Sequence, residues 1–345
     1  MTALPDTSLD TTNVLGSVRE LPLQCEQTLS EVKSLDLRED YSHIENIVIS
    51  GMGGSALGGR VLLGFQQNIL KIPVVVSTEY GIPSFVNEHS LVIASSYSGN
   101  TEETLFAFNE ALSRKAKIII ICAGGKLGEL SGQFQIPAYI FHPDHNPSNQ
   151  PRMALGYSIF ALLAILNRCG LTLPGADLSS IPEFLKTRQS REQELLDLSA
   201  NLVGKIPVII ASEFLKGAAH CFKNQINENA KTYADLYDLP ELNHHLLEGL
   251  TFPKTNPQNL AFLFCISSRY RHQLSIRYPL SRQVVNKNGI PSFDLQVEGD
   301  SDLAQAMDLI QSGAYIAYYL ALLNGVDPGL IPWVDWYKDE IRKVV

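Results

Sequence analysis

The 345-residue sequence contains little of several features that mark common classes of protein. Its five cysteines are widely spaced and form no Cys-x-x-Cys pair, which argues against a disulfide scaffold and predicts reduced thiols in the core. Its 27 lysines and arginines are outnumbered by 36 acidic residues, and the net charge is -9. Nucleic acids and anionic membranes bind clustered positive charge, so neither is an expected partner. A small phosphate-bearing ligand is compatible with this charge, because amides and hydroxyls also bind phosphate.

Long apolar runs are missing as well. The most apolar stretch, residues 154–166, is shorter than the roughly 20 residues that cross a bilayer. The segment MTALPDTSLD has no basic region followed by an apolar one, so no signal peptide is predicted. We expect a soluble, cytoplasmic protein.

Short apolar runs alternate with helix-length segments along the chain. A parallel strand that is buried on both faces has a continuous apolar sequence, so this alternation predicts parallel sheets covered by helices. The predicted strands are residues 46–50, 73–77, 91–95, 117–123 and 138–142 in the first half, and 207–212, 260–267 and 292–298 in the second.

The chain is longer than one hydrophobic core usually supports, which predicts two domains. A helix predicted at residues 152–168 precedes the stretch CGLTLPGADLSSIP, and a charged helix is predicted at 183–202. We therefore predict an α/β protein with two doubly wound parallel-sheet domains, each a three-layer α/β/α sandwich. The predicted boundaries are residues 1–168, a linker at 169–182, and residues 183–345.

The first strand runs into a glycine-rich loop, ISGMGGSALGG. The frame Gly51-x-Gly53-x-x-Ala56 satisfies the dinucleotide-binding fingerprint, and the alternative is a tight strand-to-helix turn. No Gly-Lys-Ser/Thr follows, so a Walker-type phosphate loop is excluded. The acidic residue expected about 20 positions on is best matched by Glu79, which lies 28 residues past Gly51. The hydroxyl of Ser55 suits a compact phosphate better than a nicotinamide dinucleotide.

A second loop, SSYSGNTEET at residues 95–104, follows the third predicted strand and precedes a helical run. A capping box explains one or two of its hydroxyl groups. It does not explain Ser96, Ser98 and Thr101 together. Because ligands bind outside the carboxyl ends of parallel strands, the two loops predict one pocket for a phosphate monoester.

Four motifs in order resemble a known family. GMGGS and SYSGNT resemble the sugar isomerase domain, and NQINENAKTYA and ELNHH narrow the resemblance to the bifunctional phosphoglucose/phosphomannose isomerases. The resemblance covers both halves of the chain, from about residue 47 to 338. It implies two sugar isomerase domains, no metal or other cofactor, and a homodimer with its active site at the subunit interface. It also implies interconversion of glucose 6-phosphate or mannose 6-phosphate with fructose 6-phosphate through an enediolate.

The resemblance assigns roles to single residues. Glu228 matches the base that moves a proton between C1 and C2. His244 matches the histidine that opens the sugar ring, and an imidazole can exchange protons near neutral pH. The family has asparagine at the next position, where this chain has His245, so either histidine is a candidate for ring opening.

Two cations complete the implied site. Arg152 matches the arginine that stabilises the negative charge of the enediolate, and Lys338 matches the lysine that approaches the ring oxygen. The residues implied in phosphate binding share small size or a hydroxyl group, and they are Gly53, Gly54, Ser55, Ser96, Ser98 and Thr101.

Three other functions are alternatives to this one. A non-catalytic sugar-phosphate-binding protein would have no need of Glu228, His244 and Lys338. A nicotinamide-dependent oxidoreductase would use the loop from Gly51 to Ala56, and an isomerase for another phosphosugar would use the same site. His142 and His145 flank an acidic residue, but no further ligand lies at metal-site spacing on one element, which favours a solvated loop.

Overall fold

A computed structural model describes residues 2–37, 39–66, 70–172 and 177–344. The strands are β1 (Asn46–Ser50), β2 (Val74–Ser77), β3 (Ser90–Ser96), β4 (Lys117–Cys122), β5 (Ala138–Ile140), β6 (Ile206–Ala211), β7 (Asp235–Asp238), β8 (Leu260–Ile266) and β9 (Ser292–Gln296). The helices are α1 (Val14–Arg19), α2 (Leu21–Val32), α3 (Gly54–Gly64), α4 (Glu102–Ser113), α5 (Gly125–Phe134), α6 (Leu155–Arg168), α7 (Ile181–Arg188), α8 (Glu192–Ala200), α9 (Lys216–Asn229), α10 (Leu246–Gly249), α11 (Asn256–Asn259), α12 (His272–Lys287), α13 (Asp302–Leu323) and α14 (Pro332–Arg342).

The strands form two parallel sheets, which confirms the predicted α/β class. The first sheet has the order β2-β1-β3-β4-β5 and the second has the order β7-β6-β8-β9. All pairs of these nine described strands are parallel. Strand order therefore reverses beside β1 in the first sheet and beside β6 in the second. Crevices outside the carboxyl ends of strands at such reversals are where doubly wound folds bind ligands.

Alternate side chains of the first sheet enter two different cores. Ile47 and Ile49 belong to the core that continues into the second half of the chain. Val48 and Val92 belong to a separate core beneath α4 and α5. Successive residues of a strand point to opposite faces, so fully apolar strands are required when helices cover both faces.

Helices join the two halves of the molecule. Helix α3 of the first half packs on α9 of the second, and α9 packs along α13. Gly217 makes the first of these contacts close, because a Cβ there would lie 2.2 Å from the carbonyl oxygen of Arg60. The backbones of α3 and α9 thus touch directly, and the position of α9 is fixed relative to the first sheet.

Several details differ from the sequence-based expectations. The charged helix predicted at 183–202 is two helices, α7 and α8, separated by a 3-10 turn at Gln189–Arg191. Of the predicted linker, residues 173–176 lie outside the described residues, and α7 already begins at Ile181.

All five cysteines are buried and unpaired, as predicted from their spacing. Within the described ranges of the chain, no helix is both long and apolar enough to span a membrane.

Candidate active site

The loop after β1 turns sharply into α3. Gly53 has φ +50°, a left-handed conformation that glycine adopts without strain, and it directly precedes the helix. A Cβ on Gly54 would lie 2.9 Å from the carbonyl group of Pro151, so this position has no room for a side chain. The amino end of α3 therefore rests against the backbone next to Arg152. Backbone amides at such a helix start attract anions.

The loops after β1 and β3 are joined by hydrogen bonds. The Ser55 hydroxyl accepts a hydrogen bond from the backbone N–H of Tyr97 at 2.9 Å. The Ser95 hydroxyl donates to the carbonyl oxygen of Ser55 at 3.2 Å. The two hydroxyl-bearing loops thus form one unit at the point where strand order reverses.

The hydroxyls of the second loop are arranged around the start of α4. The hydroxyl oxygens of Ser96 and Thr101 are 2.8 Å apart, and the Ser96 oxygen also accepts from the N–H of Gly99 at 3.1 Å. The Ser98 hydroxyl accepts from the N–H of Asn100 at 3.2 Å. Thr101 occupies the N-cap position of α4, yet its side chain makes no capping hydrogen bond. Ordinary capping therefore does not account for these hydroxyls.

A third loop, after β4, supports the second one. Gly99 and Gly125 both have positive φ, and a Cβ on Gly99 would lie 1.8 Å from the carbonyl oxygen of Gly124. The Asn100 side-chain oxygen accepts from the N–H of Lys126 at 2.9 Å. This support was not predicted from the sequence, although the AGGK segment after the fourth strand indicates another glycine-rich strand-to-helix turn.

Arg152 lies between α9 and the loops after β1 and β3 that are predicted to bind phosphate. Its side chain is only 2 % exposed, and its Nε donates to the side-chain oxygen of Asn229 at 2.6 Å. The Nη2 group donates to the carbonyl oxygens of Pro328 and Gly329 at 3.1 and 2.8 Å. Its Nε also lies 3.9 Å from a carboxylate oxygen of Glu228. The guanidinium is thus held in place by both halves of the chain.

Glu228 is a partly shielded carboxylate near the end of α9. Burial raises its pKa above the ordinary value of 4.5, and the positive charges of Arg152, Lys338 and Lys231 oppose this rise. Its side chain keeps 30 % of its surface exposed. A carboxylate that is made more basic by burial and is still reachable has the properties of a general base.

Lys338 and Lys231 approach Glu228 from different elements. Lys338 lies on α14, a helix with no buried residue. Lys231 follows α9, and burial, with a further contribution from Arg152, lowers its pKa from 10.5 to about 8. Lys231 was not among the residues predicted from the sequence, although it belongs to the NENAK segment that contains Glu228.

The two candidate ring-opening histidines lie on an exposed turn after β7. His244 ends the 3-10 helix Glu241–His244, and both His244 and His245 are exposed. Asn243 anchors this turn by donating to the Ser281 hydroxyl at 2.7 Å. No hydrogen bond or ion pair within the described part of the chain links either histidine to Glu228. One chain therefore brings together Glu228, the three cations and the hydroxyl loops, and the contacts of the described residues connect neither histidine to them.

Comparisons with known proteins identify relatives along most of the chain. Residues 40–166 match the SIS domain, and residues 191–341 match the bacterial phospho-glucose isomerase C-terminal SIS domain. A bifunctional phosphoglucose/phosphomannose isomerase of Caldicellulosiruptor bescii is 34% identical over 339 residues, which cover 95% of this chain and 98% of that protein. The protein of the same name from Aquifex aeolicus is 30% identical over 310 residues, covering 89% and 94%.

A solved structure has the same fold. The C-terminal domain of glucosamine-fructose-6-phosphate aminotransferase from Francisella tularensis superposes with a TM-score of 0.73 at 16% identity, covering 92% of this chain and 98% of that one. The fold and the two family matches together define a protein with two SIS domains. The extent of the sequence identity goes further, and the chain belongs to the bifunctional phosphoglucose/phosphomannose isomerase family. This membership argues against the nicotinamide-dependent alternative.

Proposed function

We propose that this protein interconverts glucose 6-phosphate or mannose 6-phosphate with fructose 6-phosphate. The observation that carries the proposal is the position of Glu228. Its pKa is raised by burial, it lies 3.9 Å from the fixed guanidinium of Arg152, and the backbone beside Arg152 contacts the glycine loop at Gly54. A proton acceptor, a cation and a phosphate pocket therefore adjoin one another.

The phosphate end of the sugar binds the two hydroxyl loops. The amino ends of α3 and α4 converge there, and neither helix has a side-chain cap. The proposed binding residues are Gly53, Gly54, Ser55, Ser96, Ser98 and Thr101. Binding the end of the substrate that does not react places C1 and C2 near Glu228 and reduces the entropy cost of the reaction.

Glu228 transfers a proton between C1 and C2 of the open-chain sugar. Glucose 6-phosphate and mannose 6-phosphate differ only at C2, and both give the same enediolate once the C2 proton leaves. One base therefore serves both epimers if the sugar presents either face. Arg152 stabilises the enediolate, because its hydrogen bonds to Asn229, Pro328 and Gly329 keep its charge oriented before the reaction begins.

The proposal includes a homodimer in which His244 acts in the site of the other subunit. His244 is exposed and unconnected to Glu228 within the described part of its own chain. Helix α14 approaches Glu228 through Lys338 but buries no residue, and Trp333 on it is 80% exposed. A second copy would cover this helix and supply the missing ring-opening group. His245 is the alternative at the same place.

The proposal is tested by a coupled assay for fructose 6-phosphate, with each epimer supplied separately. Glu228→Gln keeps the shape of the side chain and removes the proton acceptor. Both activities should fall together by at least roughly 10²- to 10⁴-fold, the range ascribed to general base catalysis. Binding of fructose 6-phosphate, measured by calorimetry, should persist because the phosphate pocket is intact.

Glu248→Gln is the matched control, because Glu248 is an exposed glutamate on α10. It should retain wild-type turnover of both epimers. Persistent mannose 6-phosphate turnover in Glu228→Gln would reveal a second base and contradict the mechanism. A wild-type protein that turns over neither epimer would refute the proposed function.

A further inference from the structure

Lys231 occupies a backbone position that usually belongs to glycine. It directly follows the C-cap residue of α9, Ala230, and has φ +51°. Glycine fills the same left-handed position after α6, α12 and α13, where the residues are Gly170, Gly289 and Gly325. A side chain at this position strains the backbone. Lys115 has the same conformation, so the contacts of the Lys231 ammonium group, and not the strain alone, indicate that this side chain has a use.

The Lys231 ammonium group joins two segments. It donates to the carbonyl oxygen of Asn229 at 3.0 Å, at the end of α9, and also to the carbonyl oxygen of Asp327. The next two carbonyls along the chain, of Pro328 and Gly329, accept from Arg152. Two cations therefore hold the segment 327–329 against the end of α9, a few residues before the helix that carries Lys338.

The same ammonium group is part of the charge around Glu228. The charged groups that face Glu228 are Arg152, Lys338 and Lys231, and those that face Lys231 are Arg152, Asp327 and Glu228. Of the three cations beside Glu228, Lys231 is the one on the same continuous segment as the base. Its removal would change both the field at the carboxylate and the attachment of segment 327–329.

We propose that Lys231 is a positioning residue for isomerisation, an inference that rests on the proposed function. Its ammonium group fixes segment 327–329 beside Glu228, and through that segment it fixes the helix of Lys338. It also keeps positive charge next to the base. The strained backbone is the cost of placing this ammonium group at the end of α9.

The test compares Lys231→Gly with Lys115→Gly. Lys115 is the matched control because it also has positive φ, at +59°, and also directly follows a C-cap residue, Arg114. It lies beyond the carboxyl end of α4, whereas the hydroxyl loop lies at the amino end. Both substitutions relieve the same backbone strain, but only Lys231→Gly removes a group near Glu228.

In Lys231→Gly we expect kcat to fall on the order of tenfold to a hundredfold for both epimers, because the reacting groups lose their alignment. The melting temperature should stay within about 2 °C of wild type, since lost hydrogen bonds and relieved strain offset each other. The acid limb of kcat/KM should move to higher pH by about half a unit or more, because Glu228 loses a neighbouring positive charge. Lys115→Gly should leave kcat and the pH profile unchanged.

Two more variants separate charge from shape. Lys231→Arg should return the acid limb toward its wild-type pH, whereas Lys231→Met should not. Two results would overturn the inference, provided that the wild-type enzyme is active. One is a wild-type kcat in Lys231→Gly. The other is a lower kcat with an unmoved acid limb in both uncharged variants, Lys231→Gly and Lys231→Met. A wild-type protein without isomerase activity would instead refute the proposed function and this inference with it.

Discussion

At the scale of single residues, Glu228 is held in an environment that disfavours its charge. Burial raises its folded-state pKa above the ordinary value of 4.5, even though three cations oppose the rise. Between the unfolded and folded pKa values the native state binds more protons than the unfolded chain. At low pH the carboxyl group is neutral and does not reduce the free energy of unfolding. As pH rises through the folded pKa, the group becomes charged and that stability is lost. Above the folded pKa the wild-type protein bears this cost in full.

Glu228→Gln should consequently stabilise the protein while inactivating it. We expect the melting temperature at pH 7 to rise by about 1 to 3 °C, because the amide needs no charge solvation. The difference from wild type should shrink as the pH falls through the raised folded pKa toward 4.5, because the folded glutamate then becomes protonated. Thermal unfolding followed by circular dichroism between pH 5 and 8 measures this. Equal melting temperatures at all pH values, or a lower one at pH 7, would contradict the assigned environment.

At the scale of secondary structure, the contact between α3 and α9 determines where the base lies. A Cβ on Gly217 would lie 2.2 Å from the carbonyl oxygen of Arg60 and 2.4 Å from the Cα of Val61. Both neighbours are backbone atoms, so no side chain can move aside. An alanine there would force the two helices apart.

Gly217→Ala should therefore destabilise the protein by about 1 to 3 kcal/mol, the usual cost of overpacking. It should also lower kcat, because Glu228 moves with α9 while the phosphate loops stay with the first sheet. Gly132→Ala is the control, since Gly132 lies inside α5 with no neighbour within 4 Å of a new Cβ. That change should be neutral or slightly stabilising. Denaturant unfolding and the coupled assay together decide the outcome, and an unaffected Gly217→Ala would show that α9 tolerates displacement.

At the same scale, some strands and loops could be predicted from the sequence and others could not. The buried strands β1, β3, β4, β6 and β8 were predictable because their apolar runs are continuous. Strand β7 was not, since DLYD is short, half-buried and at a sheet edge. The glycine and hydroxyl loops were recognisable because they follow strands. The contributions of Lys231 and of the Gly99–Gly124 contact were not recognisable, because both depend on backbone conformation and on segments distant in sequence.

At the scale of the whole molecule, α14 leaves an apolar surface uncovered. Trp333, Trp336 and Tyr337 are 80, 57 and 61% exposed, and the ring centroids of Trp333 and Trp336 lie 6.5 Å apart. Contiguous exposed aromatic surface of this kind marks an interaction site. Because the same helix carries Lys338 toward Glu228, a second copy seated there would lie beside the active site.

Mixing two inactive variants tests whether the copies share their sites. Each proposed site combines Glu228 of one chain with His244 of the other, so Glu228→Gln and His244→Ala homodimers should both be inactive. Random exchange of subunits makes half of the dimers mixed, and each mixed dimer has one intact site. About a quarter of all sites should therefore be intact, and the mixture should regain about a quarter of wild-type activity. The gain should disappear on dilution below the dimer dissociation constant.

Glu228→Gln mixed with Arg152→Ala provides the control, because these two residues contact each other within one chain at 3.9 Å. Every site of that mixture lacks one of the two groups, so no activity should return. If His244→Ala is active by itself, His245→Ala takes its place in the first mixture. Should neither histidine variant regain activity with Glu228→Gln, although size-exclusion chromatography shows exchanged dimers, ring opening would have to occur within a single chain. The exposed position of His244 would then have to change on substrate binding, because no hydrogen bond or ion pair among the described residues connects it to the base.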